Sequence, residues 1–274
     1  MVNTNQVRRI IYLINPIAGT RNKNSLPELI SARTTQQAIP FEIVSTVASG
    51  DYEFLKEKIR KENITDVVIC GGDGSINQAV YPLVETGARF GVIPLGSGNG
   101  LALAAKISRD TNKALDNIFA GHSKKIDGFM VNNQFACMLC GLGFDAAVAH
   151  EFAKKGKRGL ITYARLTATN LFRSHTYKFE IEANGHKFSA DAYFMSIANS
   201  NQFGNNFTIA PEAKLSDGLL DVVIVNKSMK PMLVWNVFNQ VLRGRIIPFE
   251  YSAPSAVKYF HTDKLRMKNQ DSPP

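Results

Sequence analysis

Short apolar runs alternate along the first half of the chain with longer stretches in which apolar residues recur every three or four positions. Val7-Arg-Arg-Ile-Ile-Tyr-Leu-Ile14 ends in a compact β-forming stretch that Asn15-Pro16 and then Gly19 break, which predicts a first strand and its turn. Residues 25–37 read as a helix and 41–45 as a second strand, and Asp51 is placed to cap a helix running through Tyr52, Leu55 and Ile59. Asp66-Val-Val-Ile-Cys70 is a β-branched run of the kind buried on both faces of a parallel sheet; glycines follow it, then a helical stretch to Val84. A fourth strand, Phe90 to Ile93, repeats the device. Strands alternating with helices predict a doubly wound α/β domain whose ligand crevice lies beyond the carboxyl ends of the strands, where the glycine-rich loops fall.

Past Lys125 the texture turns to hairpins. Val131-Asn-Asn-Gln134 separates two apolar runs, and Asn184-Gly185 joins residues 177–183 to residues 186–197 as a type I′ signal. Residues 157–172 and 230–242 read as helices, and Leu219–Val225 and Ala256–Tyr259 as strands. The expected architecture is an N-terminal doubly wound α/β nucleotide-binding domain, 1–124, and a C-terminal, mostly antiparallel, sandwich-like β domain, 125–274. The extreme C-terminus is taken as able to return to the first domain.

A chain of 274 residues with 45% hydrophobic content can bury cores for two such domains. No run of roughly 18 uncharged apolar residues occurs, and Met1 to Arg9 lacks the apolar segment of a secretory signal, so cytoplasmic residence is expected. Cys70, Cys137 and Cys140 lie in apolar runs, the usage of buried thiols, and no disulfide is expected. Cys137-Met-Leu-Cys140 has redox or zinc-knuckle spacing but no second Cys/His pair near it. The histidines show no ligand spacing. A net charge of +9 favours polyanions: nucleotide, anionic bilayer or nucleic acid. Without a zinc finger, RNA-recognition motif or basic repeat, nucleic acid is not expected as a partner.

Gly71-Gly72-Asp73-Gly74-Ser75-Ile76-Asn77 lies between a predicted strand and a predicted helix, where backbone N–H groups can turn toward a phosphate and glycines allow close approach. Asp73 puts a carboxylate beside that anion, which calls for a bridging Mg²⁺ or for base chemistry on an acceptor hydroxyl. Read alone, the segment could equally be a tight turn capped by Asp73. Pro94-Leu95-Gly96-Ser97-Gly98-Asn99-Gly100-Leu101-Ala102 again follows a strand and opens a helix, adding amides, the Ser97 hydroxyl and the Asn99 amide.

These two loops, in this order and spacing, resemble the catalytic domain shared by diacylglycerol kinases and sphingosine kinases. The resemblance extends to Asn15-Pro16 with Gly19, similar to the family's first nucleotide loop, and to Ser45-Thr46 before Gly50-Asp51, which would make Thr46 a nucleotide contact. Gly141-Leu-Gly-Phe-Asp145, Ala210-Pro211 and Ser216-Asp217-Gly218-Leu219-Leu220-Asp221-Val222 look like markers of the family's second domain. The resemblance implies a lipid kinase using ATP and Mg²⁺, with nucleotide contacts at Asn15, Thr46, Gly71 to Asn77, Gly96, Ser97 and Asn99. It also implies a Mg²⁺ site at Asp217 with the backbone of Lys214 and Leu219, where local chemistry alone reads a hairpin turn. Asp127 corresponds to a family acid facing the phosphates, or is a turn residue.

Gly100 stands where many bacterial diacylglycerol kinases carry an acid after the Asn, and Gly96-Ser97-Gly98-Asn99 looks closer to sphingosine-kinase usage. Family members continue into an Asp-Gly-Glu segment whose Glu is taken as the base, whereas residues 269–274 read Asn-Gln-Asp-Ser-Pro-Pro. Either the chain is a shortened one, or Asp73 or Asp127 helps deprotonate the acceptor, or the protein binds without turnover. Lys154, Lys155, Lys157, Arg158, Arg165 and Arg173 beside Leu160, Ile161 and Phe172 form a basic amphipathic stretch that could rest on anionic lipid or pack on its own domain. Peripheral contact with the inner face of the membrane, a lipid substrate there and a homodimer fit this reading. Rival readings are an NAD kinase or phosphofructokinase-like enzyme and a noncatalytic nucleotide- or lipid-binding protein.

Overall fold

The computed structural model of the protein describes residues 7–18, 25–143, 175–204, 207–227 and 257–270. The chain divides into two compact units, Met1–Lys125 and Ile126–Pro274.

In the first unit, β1 (Ile10–Ile14), β2 (Phe41–Ser45), β3 (Asp66–Gly71) and β4 (Arg89–Pro94) pair in parallel in the order β2-β1-β3-β4. All of β3 is buried, as its unbroken β-branched run requires. Five helices accompany the strands: α1 (Leu26–Gln36), α2 (Glu53–Glu62), α3 (Asp73–Leu83), α4 (Gly100–Ala104) and α5 (Thr111–Ala120). Side chains alternate along a strand, so Ile10, Tyr12, Val68, Cys70 and Ile93 share one face and pack with Leu26 and Ile30 of α1 and Ala114 and Leu115 of α5. Ile11, Leu13, Val67 and Ile69 point the other way and are equally buried, with α3 packed on β3. Each fully buried Ile or Leu contributes about 1.5–3 kcal/mol. The doubly wound expectation is met, and the strand order reverses between β1 and β3, which is where such sheets open a crevice.

Asp51 lies one residue ahead of its expected position: Tyr52 is the boundary residue of α2, while Asp51 Oδ1 accepts the Glu53 N–H at 3.1 Å. Helix α5 was not foreseen, because its first turn, Thr-Asn-Lys, dilutes the apolar period. Its ends carry the signals all the same. Asp110 accepts the Lys113 N–H at 3.0 Å as N-cap, and Gly121 takes the left-handed C-terminal position at φ 73°.

The amino end of the sheet is closed by charge. Buried Asp66 receives Arg8 Nε and a terminal nitrogen, each at 3.2 Å, and Arg89 at 3.0 Å. The same arginines donate to the carbonyls of Ile118, Phe119 and Gly121, so one carboxylate ties β1, β3 and β4 to the C-terminus of α5.

In the second unit, β5 (Phe129–Val131) and β6 (Gln134–Ala136) form a hairpin. β7 (Leu139–Gly143), β8 (Tyr177–Ala183), β9 (His186–Ala198), β12 (Leu220–Asn226), β13 (Val257–Thr262) and β14 (Leu265–Asn269) make an antiparallel sheet in the order β13-β12-β9-β8-β14, with β7 also on β9. A small pair, β10 (Gln202–Gly204) and β11 (Phe207–Thr208), stands beside it in sequence. Asn184 and Gly185 both have positive φ, 51° and 75°, as a type I′ turn demands. One face of the sheet gathers Phe179, Ile181, Met195, Val222 and Ile224, and the other Ala198 and Val223 with Ile209 and Ala210, so both faces carry buried apolar clusters. β14 was not foreseen, although Leu265 and Met267 alternate with Arg266 and Lys268. The helices expected at 157–172 and 230–242, the basic stretch 154–173, Phe144-Asp145 and Ala256 lie outside the described residues. No helix among the described residues is long and apolar enough to cross a membrane.

Asp66→Ala leaves two guanidinium groups without their shared anion and should lower the stability of the first unit by about 3 kcal/mol, read from urea unfolding. Burial also pushes the Tyr12 hydroxyl up from 10.0 to about 12, against a hydrogen bond to Thr34 that pulls it down. Its contribution is therefore complete below pH 10 and should be lost as pH rises toward 12; Tyr12→Phe should flatten that alkaline loss in a pH series of thermal melts.

Candidate functional site

Loops from all four parallel strands leave the same end of the sheet and are laced together there. The Asn15 amide donates to Cys70 O at 3.0 Å, and its side-chain Nδ2 to Ser75 Oγ at 2.7 Å, so the turn after β1 is stitched across the switch point to the start of α3. Thr46 N donates to Ile14 O at 3.0 Å, and Gln78 Nε2 of α3 holds Ala48 O at 3.1 Å. Asn15, Thr46, Ser75 and the two glycine loops thus share one end.

Backbone meets backbone between the glycine loops. A Cβ on Gly96 would lie 2.6 Å from Gly72 Cα and 2.8 Å from Asn99 Oδ1; one on Gly72 would meet Gly96 Cα at 3.0 Å. Gly71 is constrained separately, since a Cβ there would strike Ser75 Oγ at 2.6 Å. Gly74 faces open space. The first helical N–H groups have no carbonyl behind them, and among the described residues no acceptor takes the amides of Asp73, Gly74 and Ser75, or those of Ser97, Gly98 and Asn99. One set of unused donors lies at the start of α3 and the other in the loop ahead of α4, whose own first two amides go to Asp73; free backbone donors of this kind suit phosphate.

Asp73 does more than cap its own turn. Its Oδ2 accepts the Gly100 N–H at 2.9 Å and its Oδ1 the Leu101 N–H at 3.1 Å, so a carboxylate from the first loop holds the start of α4. Asn99, left-handed at φ 53°, turns its Nδ2 back onto Gly96 O at 2.6 Å, and its buried Oδ1 has no donor. Ile76 is set apart from the other motif residues: its side chain is core and its N–H goes to Gly72 O at 3.1 Å. Asn77 follows one turn inside α3.

Within the second unit, Asp127 and Asp217 come together at one turn. Asp127 N donates to Leu215 O at 2.6 Å, Asp127 Oδ2 accepts the Gly218 N–H at 2.8 Å, and Asn199 Nδ2 holds Asp127 O at 2.7 Å. Asp217 Oδ1 accepts the Leu219 N–H at 3.2 Å, and Gly218 has φ 74°. Lys214, Asp217 and Leu219 are exposed, so one carboxylate and main-chain carbonyls can meet a hydrated Mg²⁺, whose hard-oxygen preference they fit. The described residues hold no cluster of three His, Cys, Asp or Glu that could bind a metal.

Asn199, which no motif signalled, joins Asp127 O and, at 3.4 Å, Cys137 O. Buried Asp221 is a second unforeseen centre: Tyr259 donates to it, and His261 Nε2 lies 3.1 Å away. Burial raises the Asp221 carboxyl's pKa, while the Tyr259 hydrogen bond opposes that rise.

Residues 9–131 match the family described as Diacylglycerol kinase catalytic domain, and residues 139–274 match the YegS C-terminal NAD kinase beta sandwich-like domain. Diacylglycerol kinases of Staphylococcus aureus strains MRSA252 and Newman are each 31% identical over 225 residues, covering 80% of this chain and 70% of theirs. A crystal structure of a diacylglycerol kinase from Bacillus anthracis str. Sterne superposes with a TM-score of 0.73 at 18% identity, over 98% of this chain and 88% of that one. A catalytic-domain match followed by a sandwich-like one defines a two-part kinase architecture. The chain belongs to the diacylglycerol kinase family.

Gly96→Ala forces the two glycine backbones apart and should lower the melting temperature by several degrees, whereas Gly74→Ala, in open space, should leave it unchanged or slightly raised.

Proposed function

We propose that the protein is a lipid kinase that transfers the γ-phosphate of ATP to a hydroxyl of a membrane-derived lipid, diacylglycerol-like or sphingoid in type. The observation that carries this reading is the backbone contact of Gly72 with Gly96, which sets two rows of unused amides side by side at the strand ends. Phosphoryl transfer asks the protein mainly for alignment and charge compensation, and such a surface offers both. Asn15, Thr46, Gly71 to Gly74, Ser75, Gly96, Ser97 and Asn99 are the residues we assign to the nucleotide. Gly72 and Gly96 serve through close backbone approach, Gly71 leaves room for the Ser75 side chain, and the amides serve as donors.

Bound Mg²⁺ would neutralise the phosphate oxygens. We assign Asp73 to the nucleotide end, where each oxygen keeps a second lone pair besides its amide bond, and Asp127 to the acid function that its family counterpart suggests. Lys214, Asp217 and Leu219 are the proposed second Mg²⁺ site. Action on a bilayer substrate implies peripheral contact with the inner face of the membrane in the cytoplasm, and a homodimer is compatible with that placement.

The test incubates the chain with γ-labelled ATP, Mg²⁺ and vesicles carrying in turn diacylglycerol, a sphingoid base and a ceramide. Label should enter one of these lipids. ATP binding with no label in any lipid would instead favour a noncatalytic binding protein, and label entering NAD in a parallel incubation that offers NAD in place of lipid would favour an NAD kinase-like enzyme. Asp73→Asn should cut transfer by about a hundredfold or more. Gly74→Ala should raise the KM for ATP without lowering the melting temperature, since its added methyl meets only the ligand.

A further inference from the structure

Arg109 lies outside every glycine motif, in the link between α4 and α5 directly before the N-cap Asp110. Its terminal nitrogen donates to Ser97 O at 2.9 Å and to Gly98 O at 3.0 Å. Each trans peptide carries its N–H opposite its C=O, so anchoring these two carbonyls fixes the direction of the Gly98 and Asn99 amides. Both of those amides are without an acceptor among the described residues. The next two peptide units are fixed from their other side, by Asp73 on the Gly100 and Leu101 amides. Four consecutive peptide planes are therefore set by one cation on carbonyls and one anion on amides, and the Asn99 side chain on Gly96 O sets the plane before them.

We propose that Arg109 is a positioning residue of the nucleotide loop: it holds residues 97–99 in the shape of an anion-binding nest before any ligand arrives. The base from which it acts is rigid, since Asp110 caps α5 and Ala114 and Leu115 of that helix are wholly buried. Charge-assisted hydrogen bonds are the stronger class, and a guanidinium nitrogen holds its two N–H bonds in a fixed plane under a permanent charge, so a lysine, whose ammonium rotates freely on a flexible stem, is a poor replacement at these two carbonyls. Preorganisation of this kind lowers the ordering that binding would otherwise require, so it acts on nucleotide affinity. This proposal rests on the assignment of the glycine loops to ATP.

The test compares the full chain with Arg109→Ala and Arg109→Lys, measuring amide hydrogen exchange without nucleotide alongside the kinetics of transfer from ATP. Arg109→Ala should raise exchange at Gly100 and Leu101, whose bonds to Asp73 depend on the loop's shape, and should raise the KM for ATP about tenfold. Its kcat should stay within about twofold, and its Mg²⁺ dependence should not move. Arg109→Lys should recover only part of either change. Weaker ATP binding with unaltered exchange in the free protein would mean that Arg109 touches the nucleotide itself, and would overturn the proposal. Exchange and KM both unchanged would reduce Arg109 to a surface residue. If the unmodified chain transfers no phosphate, the kinase reading fails while the exchange comparison still decides what Arg109 does to the loop.

Discussion

The meeting of Gly72 with Gly96, where a Cβ on either would lie 3.0 Å or 2.6 Å from the other's Cα, is the constraint on which the carboxyl end of the parallel sheet depends, because only glycine fits at both positions. It brings together loops that follow different strands, β3 and β4, which are neighbours because of the sheet order. Once they touch, Asp73 can reach past its own helix to the start of the next one. The neighbouring amides that Asp73 does not take have no acceptor among the described residues, and their partial positive charge stays uncompensated. The same sheet order puts Asn15 across the switch point from Ser75, so the loop after β1 belongs to this end as well.

The two ends of the parallel sheet solve opposite problems. At the amino ends, Asp66, Arg8 and Arg89 satisfy one another and the last carbonyls of α5. That end is suited to stability. At the carboxyl ends, several donors have no acceptor among the described residues, which solvent tolerates and a multiply charged anion would satisfy. A parallel sheet covered on both faces supplies the stiffness that keeps this difference in place.

The second unit is organised by side chains that cross between strands. Asp127 joins the turn of Asp217 and Gly218, Asn199 holds Asp127 from the end of β9, and Tyr259 and His261 of β13 meet Asp221 of β12. Hydrogen-bond donors from backbone and aromatic residues compensate these carboxylates. Asp217 itself accepts a local N–H as an ordinary turn residue does.

The sequence alone determined the elements whose signals are local. Strands β1 to β4 follow from β-branched runs, the turn at Asn184-Gly185 from the positive φ that both residues tolerate, and the two glycine loops from their places between strand and helix. Elements with diluted patterns escaped: α5, whose first turn is polar, and β14, whose alternation is short. Tertiary structure alone decided which loops touch, where Asp73 directs its two oxygens, that Asp127 and Asp217 share a turn, and that Arg109 reaches back to Ser97 and Gly98. Those pairings span from about ten to about ninety residues. They depend on strand order and side-chain reach, and residues far apart in a chain leave no periodic trace of one another along it.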